Sequence, residues 1–246
     1  MAREFRIDVR RIWRELVAEL VLKYQPLVRA LVLPAILMAV ADWVVIESTG
    51  AVMLVFSAIY WIFAAMFAVS THRVVLLSPA SLSNPWGVYV DRFVLRYVGY
   101  SFLIGFAMGF PIIGATLVFA FMGAALTGVV AALLMVTLWL ILIYLMARLG
   151  MVLPAQAIGD RFDLVEIFKM TAGNGWRLVL ATILPLLAAA IGLYPLALMA
   201  GKMPVWLAVL PMALNMLLTS LIGVAVLSCA YRELKRAPDF PATSVE

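Results

Sequence analysis

Few residues in this chain are able to do chemistry, and they are scattered. One histidine, His72, stands beside Arg73. A general base needs a group that orients its imidazole, and a bound metal needs two or three further ligands. His72 has no paired carboxylate within sequence reach, and no HExxH, GxSxG, P-loop or GxGxxG run occurs anywhere. The single cysteine, Cys229, excludes an internal disulfide and a cysteine-rich metal site. His72 and Arg73 are expected at an interface rather than in a reaction centre, and no cofactor is expected.

Four other polar residues fall inside or at the ends of apolar runs. Asp42 is followed by Trp43, a residue type that marks the membrane–water boundary. An intramembrane carboxylate is a functional candidate by default, because burying its charge is costly. The interfacial reading is preferred here, with Asp42 reaching water or pairing with Lys202. Pro211, Asn215, Thr219 and Gly223 recur every four residues, so they share one helix face. Asn215 and Thr219 on that face act either as packing contacts between helices or as the lining of a substrate path. Arg148 closes another apolar run, where it either snorkels to headgroups or pairs with Asp91 or Asp160.

The elements that position these residues follow from the apolar runs: Leu27–Ile46, Ala51–Val69, Phe93–Phe121, Ala124–Ala147, Trp176–Met199 and Val205–Cys229. Each is long enough to cross roughly 30 Å of hydrocarbon at about 1.5 Å per residue. A 246-residue chain that is 66% apolar and 13% charged has too little polar surface for a soluble globule. All Lys and Arg residues except Lys202 fall before the first run, after the last, in alternate connections, or, as Arg29, Arg96 and Arg177 do, within the first few residues of a run on that same side. The positive-inside rule then places both termini in the cytoplasm. The reading is an all-α integral membrane protein of six spans (27–231), preceded by an amphipathic interfacial segment (1–26) and followed by a short tail (232–246). Its expected location is a bacterial inner membrane. Ala39-Val40-Ala41 has the form of a signal-peptidase site, but the long acidic-containing segment before it argues against cleavage.

Along the N-terminal segment, Phe5, Val9, Ile12, Trp13, Leu16 and Leu20 recur at helical spacing, with Arg3, Arg6, Arg10, Arg11 and Arg14 opposite. A basic helix of this kind lies in the headgroup plane, so anionic lipids are its expected partners. The net charge of +5 needs no nucleic acid to explain it. Between spans four and five, Gly150 and Pro154 are expected to break the helix. Asp163 and Glu166 have capping-box spacing for a short helix ending near Thr171. Asn174, Trp176 and Arg177 then start span five at the cytoplasmic interface. Pro34, Pro111, Pro185, Pro195 and Pro211 each free a carbonyl one turn earlier. Gly105 and Gly109 form a GxxxG, expected to serve packing within the chain. The outer loops, at Glu47–Gly50, near Gly123 and at Ala200–Pro204, are too short to bind anything large.

Ala147-Arg148-Leu149, Leu153-Pro154-Ala155, Gly159-Asp160 and Thr171-Ala172-Gly173-Asn174-Gly175-Trp176-Arg177-Leu178 resemble a family of bacterial inner-membrane proteins. These are six-span proteins related to the membrane domain of glycerophosphoryl diester phosphodiesterases. Phe5-Arg6-Ile7, Trp13 and Thr71-His72-Arg73-Val74-Val75-Leu76-Leu77 carry the same resemblance, which runs the length of the chain. No stretch corresponds to the catalytic domain, so that activity is not carried over. Ala172 replaces the Arg of the usual Thr-Arg-Gly-Asn run, and any phosphate contact of that Arg is not carried over either. The expected function is non-enzymatic, an accessory or scaffold subunit beside other membrane-protein subunits. The alternative is a carrier or channel for a lipid or small amphiphile, which also uses proline-broken helices.

Overall fold

A computed structural model describes residues 5–78, 91–122, 128–160 and 162–237. The described residues form helices and connections, without strands. In chain order the helices are α1 (Val9–Leu22), α2 (Tyr24–Glu47), α3 (Gly50–Leu76), α4 (Arg92–Met122), α5 (Gly128–Leu149), α6 (Val152–Ile158), α7 (Leu164–Met170), α8 (Gly175–Ala200) and α9 (Val205–Leu234). Six of them, α2, α3, α4, α5, α8 and α9, are long and apolar enough to cross a membrane. The protein is an all-α, six-span membrane protein.

Short connections make neighbours antiparallel. Ser48 and Thr49 join α2 to α3, and residues 201–204 join α8 to α9. The connection near Gly123 lies outside the described residues. The α2–α3 and α8–α9 hairpins pack on each other through α3 and α9, and α4 and α5 flank this pair. All five in-span prolines sit within continuing helices. The break after α5 falls at Gly150 and Met151, and Pro154 occupies the first turn of α6, where its missing N–H costs nothing.

Burial is uneven along the bundle. The side chains most completely buried, including Ile7, Ile12, Met151, Ile167, Leu178 and Tyr231, gather where the termini and the α5–α8 connection meet. We call this the basic end. Further along the spans apolar side chains face outward, as in Phe102, Phe106, Phe110, Val129 and Leu133. Lipid is as apolar as leucine, so the hydrophobic effect does not pull the spans together there. Tight packing and hydrogen bonds must do so. Both concentrate at the basic end.

Candidate functional site

The centre of the basic end is a polar chain shared by three spans. Helix α3 continues beyond Val69 through Leu76, so Ser70, Thr71, His72 and Arg73 are helical and buried. His72 Nδ1 lies 2.7 Å from Ser228 Oγ of α9, and Tyr97 Oη of α4 lies 3.4 Å from Nε2. Ser228 Oγ also lies 3.0 Å from Val224 O, one turn back on its own helix. In one tautomer the Ser228 oxygen accepts from His72 Nδ1–H and Nε2 accepts from Tyr97; in the other the Ser228 hydroxyl donates to Nδ1. The triplet ties three helices together.

Around it each buried polar group has a partner set by local backbone structure. Arg73 donates to Ala157 O at 2.8 Å and to Asp91 Oδ2 at 2.8 Å. Asp91 Oδ1 accepts from the Phe93 and Val94 N–H groups at the start of α4, each at 3.0 Å. Burial raises the Asp91 pKa, but the Arg73 contact and these backbone donors outweigh it and hold the carboxyl below its ordinary value. Gly159 ends α6 at φ +86°, a conformation that suits glycine, and a Cβ there would stand 2.9 Å from the Phe93 ring. The Asp160 N–H then bonds back to Ala155 O at 2.9 Å. That turn aims Asp160 Oδ2 at Tyr231 Oη (2.6 Å) and Lys235 Nζ (2.7 Å).

Arg148 occupies a second pocket of the same layer. It is 7% exposed and donates through Nε to Thr171 Oγ1 at 2.9 Å. Its terminal nitrogens donate to Phe168 O and, at 3.4 Å, to Tyr144 Oη. The guanidinium carbon stands 3.5 Å from the Phe168 ring centre. Neither expected role, snorkelling or pairing with Asp91 or Asp160, is realised. Those carboxylates are taken by Arg73 and by Tyr231 and Lys235, and α7 folds over Arg148. The capping box at Asp163 and Glu166 starts α7 as the sequence spacing requires. Gly175 has no side chain to collide with the Tyr144 ring, whose nearest carbon would be 2.2 Å from a Cβ. Tyr144 also packs against Trp176 with centroids 5.3 Å apart.

The N-terminal helix is built into this end rather than resting on it. Asn174 Oδ1 accepts from Ile7 N–H at 2.9 Å and Asn174 Nδ2 donates to Phe5 O at 3.0 Å. Arg177 donates to Ile7 O at 2.9 Å. Asp8 caps α1 by accepting from Arg11 N–H, and Ile7 and Ile12 occupy the two staple positions around it, both fully buried. Pro185 cannot donate to the carbonyl of Ala181, four residues earlier. The Trp13 indole N–H takes that carbonyl at 3.2 Å. On another flank of α1, Glu19 meets Arg232 (2.6 Å) and Lys23 (2.9 Å), and Glu15 meets Arg236 (2.6 Å). Lys23 and Arg232 also cap the C-terminal carbonyls of α3, Val74 O and Val75 O.

This ion cluster has a pH sign. Burial raises the Glu19 pKa, but hydrogen bonds and charge from Lys23 and Arg232 outweigh it, so Glu19 stays below its ordinary 4.5. A depressed carboxylate contributes stability above its unfolded pKa and loses it as pH falls through the folded one. Amide exchange of α1, corrected for intrinsic rates, is therefore expected to be slow at neutral pH and to rise as pH drops below about 4. Protection of α1 that persists unchanged to pH 3 would contradict the cluster's role.

The predicted residues thus separate. His72, Arg73, Arg148, Asn174 and Arg177 come together at the basic end; His72, Arg73 and Asn174 are buried where an interface was expected, and Arg148 is buried too. Each lies near the end of an apolar run, where α3 in fact continues; α4, α6 and α9 enclose His72 and Arg73, α7 covers Arg148, and the start of α1 covers Asn174. Trp176 stays 56% exposed. Arg11 pairs with Glu15 at 3.2 Å and approaches Glu233 at 3.6 Å, so it is committed to protein rather than lipid. Arg6, Arg10 and Arg14 are exposed, and Arg3 lies outside the described residues.

Asp42 makes no ion pair with Lys202 among the described residues and instead faces Tyr60, Ala213 and Met216 in a narrow cleft. Asn215 projects from the other side of α9 and makes no side-chain hydrogen bond to another described residue, so it does not converge with Asp42. Further along the Asn215–Thr219 stripe, a Cβ on Gly223 would sit 3.4 Å from Leu186 of α8, so at that level the stripe packs helix to helix. Gly105 and Gly109 face open space, and the expected packing within the chain is not what they do. Among the described residues, no three His, Cys, Asp or Glu side chains converge as metal ligands. No family model matches the chain, and neither a curated protein nor a solved structure matches it.

Proposed function

We propose that this protein is a non-enzymatic accessory or scaffold subunit of a larger membrane complex in a bacterial inner membrane, with the basic end in the cytoplasm. The observation that supports it is the outer face of α4. Gly99, Gly105 and Gly109 have nothing within 4 Å of where a Cβ would stand. Beside them Phe102, Phe106 and Phe110 form an exposed ladder, with ring centroids 6.5 and 5.6 Å apart. Glycines that let a backbone approach, flanked by large rings, make a shape that a second transmembrane helix fills. The resemblance to six-span relatives of the phosphodiesterase membrane domain agrees with a role that needs no active site.

Purification in a mild detergent is expected to retain a second membrane protein, and Gly105→Leu with Gly109→Leu is expected to release it. A wild-type protein that runs as a bare monomer sinks this reading. Carriage of a lipid or small amphiphile is the second reading, favoured by an apolar cleft beside Pro185. Transfer of a labelled lipid across liposome bilayers separates it from a subunit role.

A further inference from the structure

A cleft of about 390 Å³ opens between α1 and the α8–α9 hairpin. Trp13, Leu16 and Leu20 line one side, Pro185 and Ala188 the other, with Ile222 between. Its one polar lining group, the Trp13 indole N–H, is already spent on Ala181 O. A cleft this dry calls for an apolar occupant, and it opens among outward-facing residues such as Val17 and Leu184, toward lipid.

Charge indicates what the rest of that occupant carries. At about 100° per residue, Glu15 and Glu19 lie on one flank of α1. Their partners Lys23, Arg232 and Arg236 neutralise that flank. Arg10 and Arg14 lie in line with Val17 and Val21, and Val17 lines the cleft; Arg14 also borders a surface depression with Asp8, Arg11 and Glu15. Arg10 and Arg14 are both exposed and make no ion pair among the described residues. Phe5 and Ile7 sit at the level of Asn174, the start of α8, while Trp13 reaches Ala181. Arg10 therefore stands between those levels and Arg14 just past the second, both at the basic end, and the cleft continues past Pro185.

We infer that this cleft binds one acyl chain of an anionic phospholipid from the leaflet at the basic end, with its phosphate held by Arg10 and Arg14. The site stands independently of whether a partner protein covers α4. The test uses full-length protein stripped of lipid in a neutral detergent and titrated with phosphatidylglycerol or phosphatidylcholine of matched chains. Native mass spectrometry reads the bound fraction.

One phosphatidylglycerol is expected to remain bound more tightly than phosphatidylcholine. Arg10→Gln with Arg14→Gln is expected to lower that affinity by about tenfold or more, to the phosphatidylcholine level. Ala188→Trp fills the cleft and is expected to abolish retention of both lipids. Leu187→Trp, facing lipid one residue away and outside the cleft, is expected to leave retention intact. Helical content by circular dichroism qualifies each variant, and the smaller Ala188→Leu decides if the tryptophan variant does not fold. Equal retention in the cleft-filling variants, equal affinity for the two lipids, or displacement of phosphatidylglycerol by millimolar inorganic phosphate would each overturn the inference.

Discussion

Replacing Arg148 with Met is expected to release α7 from the bundle, raising amide exchange across residues 163–171 by roughly thirtyfold, about 2 kcal/mol. Two terms oppose each other. Removing a buried guanidinium relieves its desolvation, which for a side chain lacking a carboxylate partner is a gain of several kcal/mol at most. Against that, Phe168 O loses its charged donor and keeps only the Thr171 hydroxyl at 3.2 Å, Thr171 loses an incoming bond, and the Phe168 ring loses the cation 3.5 Å away. Losing a hydrogen bond from a charged donor costs about 1.5–3 kcal/mol and a desolvated cation–π contact about 2. The local losses all fall on α7, which packs chiefly on α5, whereas the desolvation relief is shared by the whole fold.

The connector should therefore loosen even if the global melting point barely moves. Arg148→Lys keeps the charge but not the planar fork, and its effect is expected to lie between wild type and Met. Exchange in α7 that is the same in all three proteins would show that Arg148 does not hold the connector.

How much of this was legible in the sequence depends on the range of the interaction. The six spans, the break at Gly150 and the cap at Asp163 are written in hydrophobic runs and short spacings, and they fold as read. Partners distant in sequence were not legible. His72 meets Ser228 from 156 residues away, and Asn174 meets Ile7 from 167. Nothing local in Thr71-His72-Arg73 shows that α3 continues two turns past the apolar run, because a polar residue buried by a neighbouring helix looks like one at an interface.

Two signals were present and not exploited. Ile7 and Ile12 around Asp8 have hydrophobic-staple spacing, which already implies that the start of α1 is buried. Glu15 and Glu19, one turn apart on a helix otherwise rich in arginine, meet cations from the protein itself. Both point to a docked α1. The periodicity of its arginines alone suggested a helix floating in the headgroups.

Asn174→Ala is expected to free the entry to α1 while leaving the spans folded. In the native protein the Asn174 amide satisfies Ile7 N–H and Phe5 O together, and Ile7 N–H is buried where water does not replace the lost acceptor. Loss of both bonds, with one donor stranded, costs about 2–4 kcal/mol. Arg177 still holds Ile7 O, and Trp13 still holds Ala181 O, so α1 does not detach as a unit. The ion cluster of Glu15, Glu19, Lys23 and Arg232 anchors its far end. Exchange should therefore rise most at residues 5–12, by about tenfold or more, and fade toward Lys23. Asn174→Asp retains the acceptor for Ile7 N–H but loses the donor to Phe5 O, so its loosening is expected to be smaller and confined to the first residues. A uniform rise across α1 would place the anchor in the ion pairs instead, and no rise at residues 5–12 would remove Asn174 from any role in seating the helix.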